Sequence, residues 1–68
     1  MKSISGKDFC RRLEKRGWVR KRVSGSHHVY ATADNPARIS VPVHGNRSLK
    51  VGLLKHLMKA AGMTDADL

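Results

Sequence analysis

Two adjacent histidines follow a run of cations in this chain: Arg20-Lys21-Arg22 leads through Val23-Ser24-Gly25-Ser26 to His27-His28-Val29-Tyr30. Guanidinium and ammonium groups hold phosphates, and imidazole is the side chain best suited to moving protons near neutral pH. Their juxtaposition points to phosphodiester chemistry, not phosphate binding alone. Positive surroundings disfavour an imidazolium, which leaves a histidine among cations free to act as a base. RNA offers a fitting proton, that of a 2′-hydroxyl. Once deprotonated, this oxygen attacks its own adjacent phosphate while arginine or lysine stabilises the charge on the phosphoryl oxygens, and the step needs no metal.

Neighbours on an extended segment point to opposite faces, so His27 and His28 cannot readily serve one substrate atom. Val29 and Ala31 share the parity of His27, and Tyr30 shares that of His28. Parity alone makes His27 the inward-facing candidate, while the nearby turn puts both histidines at the rim of a sheet. Arg20 and Arg22 alternate with Lys21, so the two arginines are expected to face one way together.

The remaining histidines, His44 and His56, do not complete a metal site. The adjacent pair diverges, His56 lacks a partner at i+4, and no carboxylate cluster is available for magnesium. No cofactor is expected. Cys10, beside Phe9 on an apolar stripe, reads as a small buried hydrophobe, and as the single cysteine it excludes an internal disulfide. Trp18 is expected to fill the core. The Tyr30 hydroxyl needs a partner if the ring is buried, and the ring could stack on a base if it lies on an open face.

These groups must be positioned by few elements, since 68 residues suit one small domain, residues 1–68, with a shallow site. Ser5 reads as a helix N-cap with Asp8 completing a capping box and Ile4 and Phe9 forming a staple. Phe9, Cys10 and Leu13 then give the apolar stripe of a helix over about Gly6 to Arg16, with Gly17 just beyond its end. From Trp18 the period becomes two: Val19 and Val23 are expected on a half-buried face, and Ser24-Gly25 as a hairpin turn. His27 to Thr32 continue extended, Asp34-Asn35-Pro36 turns, Arg38 to Val41 form a third strand, and Pro42 closes it. A last helix, about Lys50 to Ala61, carries Leu54, Leu57, Met58 and Ala61 on one face and ends at Gly62. Thr64 to Leu68 either add a capped turn or fray. The order is α-β-β-β-α. Both helical stripes need the same sheet face, which gives an α+β two-layer sandwich with a three-stranded antiparallel sheet and an open face.

The net charge of +9 names polyanions, above all nucleic acid, as partners. Nine of the fourteen lysines and arginines fall in residues 1–30, with two of the five acidic residues, so binding is expected in the first half. No signal peptide or membrane-length apolar run is seen, which suggests a cytoplasmic protein without membrane contact.

Beyond these readings, the chain resembles the HicA (YcfA-like) toxins of bacterial toxin-antitoxin modules. The signals are Gly17-Trp18, Gly25-Ser26-His27-His28-Val29-Tyr30, Val41-Pro42-Val43-His44, and Leu49-Lys50-Val51-Gly52-Leu53-Leu54 leading to Ala60-Ala61-Gly62-Met63. The resemblance implies a double-stranded-RNA-binding-domain-like fold and a metal-independent endoribonuclease that cleaves mRNA. It also implies a HicB-type antitoxin that covers the active site of a monomeric toxin within a heteromeric complex. The family's catalytic histidine follows the glycine and small residue of the hairpin turn, the position of His27. Arg20, Lys21, Arg22, Ser26, His28, His44 and Lys50 are the companion RNA-contacting candidates, His44 also for proton donation. Val51 departs from the proline often found before the glycine. A non-catalytic RNA-binding module of the same fold is the alternative reading.

Overall fold

The computed structural model describes residues 3–68 as α1 (Gly6–Lys15), β1 (Val19–Ser24), β2 (His27–Thr32), β3 (Asn35–Pro42) and α2 (Val51–Ala61), followed by a 3₁₀ turn, Asp65–Asp67. The strands form an antiparallel meander in the order β1-β2-β3. Both helices lie on one face, so the α-β-β-β-α sandwich expected from periodicity is the observed fold. Its core joins Phe9, Cys10 and Leu13 of α1 to Trp18, to Tyr30, Ile39 and Val41 of the sheet, and to Leu54, Leu57, Met58 and Ala61 of α2.

Helix α1 starts because the Ser5 hydroxyl accepts from the Asp8 backbone N–H at 3.1 Å. The capping box is only half made, since the Asp8 carboxylate turns instead to Arg11 Nη1 at 3.2 Å. A reciprocal box forms at the other end of the chain, between Thr64 and Asp67, so residues 64–68 make the capped turn rather than fraying. Arg16 Nη1 donates to Asp67 Oδ1 at 2.9 Å and ties that turn to the end of α1. Gly62 caps α2 in the left-handed region, φ +70°.

The strands correct the sequence reading in three places. The first hairpin turns at Gly25-Ser26, one residue later than expected, because Gly25 supplies the positive φ (+58°) and Ser24 still pairs with His27. The second turn is Ala33-Asp34, with Asn35 and Pro36 already in β3. There the Asn35 side chain accepts from Ala37 N–H at 2.9 Å and donates to the Ala60 carbonyl at 3.1 Å, which pins β3 to α2. Thirdly, all of β1 is exposed. Val19 and Val23, expected half-buried, stand 55% and 50% exposed, because the buried face of the sheet is drawn from β2 and β3 while β1 lies at the margin.

Candidate nucleic-acid interface and its histidines

The faces of the sheet follow from its register. Tyr30 pairs with Ile39 and His28 with Val41, and since Tyr30, Ile39 and Val41 are buried, this is the helix side. His27, one residue from His28, pairs with Ser24 and Pro42 and points to the open face, where it is exposed. This corrects the inward placement that parity alone allowed for His27. The strand runs with Tyr30 inward, and the large ring wins the core position. The two histidines do take opposite faces, as extended neighbours must.

A β-bulge between Arg20 and Arg22 overturns the expectation that these arginines face together. Arg20 pairs with Tyr30 and Arg22 with Val29, so Lys21 is the extra residue and the two guanidiniums part. Arg20 joins Lys7, Cys10, Arg11, Glu14, His28, Tyr30 and Val43 in a cleft against α1. Arg22 shares the open face with His27 and stands diagonally across the strand pair, roughly 7–8 Å away by the geometry of antiparallel sheets.

His27 lines a shallow depression of about 400 Å³ that passes from the open face over the β3 edge to α2, with Arg38, Ser40 and Pro42 on the strand side and Leu53, His56, Leu57 and Ala60 on the helix side. A second depression, sharing Pro42 and Leu53, continues along Arg47, Ser48 and Lys50 with His44. His44 and Lys50 thus come together beside the His27 site, whereas Arg20 and His28 lie on the far face and Lys21 on the β1 edge. Ser26 sits in the hairpin turn, its carbonyl accepting from Val43 N–H at 2.7 Å, which clamps the turn to the end of β3. The loop carrying His44 and Lys50 is held by Leu49 N–H donating to the Ile4 carbonyl at 2.8 Å.

Arg38 and Arg47 are not among the sequence candidates, and the sequence offers His56 only as a possible metal ligand. Counting back along β3 from the pairing of His27 with Pro42 gives Arg38 the parity of Pro42, but that needs the register of the second hairpin. His56 flanks the Leu53, Leu57, Ala60 row of α2, a position that acquires meaning only once the helix is set against β3. Among the described residues no three His, Cys, Asp or Glu side chains cluster as metal ligands.

The molecule is thus a small α+β protein with a basic, histidine-bearing groove along one edge of its sheet. The family model described as HicA toxin of bacterial toxin-antitoxin matches residues 6–63, and the chain belongs to that family, known for its mRNA interferases. A search of curated proteins returns no significant match. Among the described residues no helix is long and apolar enough to cross a membrane.

Proposed function

We propose that this toxin is a metal-independent endoribonuclease that cleaves mRNA, with His27 as the general base. The observation that carries the reading is the position of His27, exposed on the open face at the start of the central strand and sharing a depression with Arg38. An RNA backbone laid along the groove brings a 2′-hydroxyl to the imidazole. His27 takes the proton, the 2′-oxygen attacks phosphorus, and the bond to the 5′-oxygen breaks, leaving a 2′,3′-cyclic phosphate. Arg38 and Arg22 stabilise the charge on the non-bridging oxygens, and Arg47, Lys50 and His44 hold the flanking backbone. Such groups bring electrostatic stabilisation to an open site, which suits a long polymer better than an enclosed pocket.

Membership in a toxin-antitoxin family supports an antitoxin partner; in this reading it is a HicB-type protein that silences the enzyme by covering the groove.

The test is incubation of partner-free protein and its His27→Ala variant with structured RNA in EDTA, followed by analysis of fragment ends. Cleavage by the parent with 2′,3′-cyclic or 3′-phosphate ends, reduced by about 10²-fold or more in the variant, is expected. His27 is exposed, so the variant should keep its melting temperature. RNA binding by both proteins with cleavage by neither would replace the reading with a non-catalytic RNA-binding module.

A further inference from the structure

We infer that His56 is the general acid of this site, delivering the proton that the departing 5′-oxygen takes up. The inference rests on the ribonuclease reading and deepens it. Its basis is that one depression holds two imidazoles from different elements: His27 from β2, and His56 from α2, with Arg38 and Ser40 of β3 lining the same space.

In-line displacement at phosphorus places the attacking and leaving oxygens on opposite sides, so a base and an acid must approach from opposite sides of the bound phosphate. A groove that carries one histidine on the sheet and another on the helix can take a phosphate between them, an arrangement that His27 and His28, back to back across the sheet, cannot make. The phase of α2 accounts for the position. Leu54, Leu57, Met58 and Ala61 are buried, while His56 is exposed beside Leu57 on the wall nearest β3. Asn35 holds that wall, since its amide donates to the Ala60 carbonyl of α2 from the first residue of β3. His44, the other candidate, lines the neighbouring depression with Arg47 and Lys50, which suits a contact to a flanking phosphate.

The step balances without a further reactant. The 2′-hydroxyl proton passes to His27, the new P–O2′ bond forms, the P–O5′ bond breaks, and His56 in its imidazolium form gives its proton to O5′. The products are a 2′,3′-cyclic phosphate and a 5′-hydroxyl, and solvent returns both histidines to their starting states.

The experiment uses a short RNA carrying one linkage that the parent cuts, and the same RNA with sulfur replacing the bridging 5′-oxygen at that linkage. A thiolate leaves without protonation, so the sulfur substrate no longer needs an acid. His56→Ala should slow cleavage of the oxygen linkage by about 10²-fold or more yet stay within a few-fold of the parent on the sulfur linkage, while His27→Ala should be slow on both. His56→Gln, retaining size and polarity, should behave as His56→Ala, and a thermal melt verifies folding. Parental cleavage of the oxygen linkage by His56→Ala, equal impairment on both linkages, or sulfur rescue of His44→Ala instead would overturn the assignment. A parent that leaves both linkages intact would overturn the ribonuclease reading and this inference with it; a parent that cuts both confines any failure to His56.

Discussion

Tyr30 places a hydroxyl inside the molecule on a ring that is 1% exposed, and it donates to Glu14 Oε2 at 2.7 Å. Burial raises its pKa far above the ordinary value of 10.0, and the bond to Glu14 reinforces the shift; burial likewise pushes the pKa of the Cys10 thiol above 9.0. Both groups favour the protonated form in the folded state, so their contribution to stability is full below the unfolded values and is lost as pH rises past them. Urea unfolding between about pH 8 and about pH 11 should show stability falling above about pH 9, and less steeply in Tyr30→Phe. At neutral pH that variant should lose about 1 kcal/mol, the worth of one hydrogen bond. The sequence could state that a buried Tyr30 needs a partner but could not supply Glu14, because that pairing depends on how α1 crosses the sheet. His27 stood out as a candidate through the family resemblance, by its place after Gly25-Ser26. Arg38 and His56 were not, since they join His27 only through strand register and helix docking.

At the level of elements, one contact fixes where α1 meets the sheet. Gly6, the first residue of the helix, lies so close to β3 that a Cβ there would fall onto the carbonyl oxygen of Pro42, and backbone cannot swing aside as a side chain can. Gly6→Ala should therefore destabilise the fold by about 1–3 kcal/mol, against the small gain alanine normally brings to a helix. A denaturant titration measures this directly. Both helices and all three strands could be read from periodicity and punctuation, with ends within a few residues. What periodicity could not show was the bulge at Lys21, which separates Arg20 from Arg22. A strict alternation was the simplest pattern compatible with Val19 to Val23, and an extra residue leaves no mark in composition. The marginal position of β1 escaped for a related reason: burial depends on where the helices lie, and two valines look the same on a covered strand and an uncovered one.

At the scale of the whole molecule, the +9 charge is divided between two faces and an edge. If Arg22, Arg38, Arg47 and Lys50 meet about four phosphates, log affinity should fall with log salt at a slope of about −3. Raising monovalent salt from about 50 mM to about 200 mM should then weaken RNA binding on the order of 100-fold, measurable by fluorescence anisotropy with the His27→Ala protein. A slope near zero would remove phosphate contact as the source of affinity.

The exposed β1 edge answers the same salt in the opposite sense. Its outer backbone groups are a template for sheet growth, and a second copy docking there would set Arg20, Lys21 and Arg22 against their own likenesses. Mutual repulsion keeps the chains dispersed while the screening length is about 10 Å, near 0.1 M salt, and fades as it contracts to about 3 Å near 1 M. Light scattering should accordingly rise with ionic strength as nucleic acid is released, so the conditions that strip the protein of its polyanion are those in which its colloidal protection is weakest.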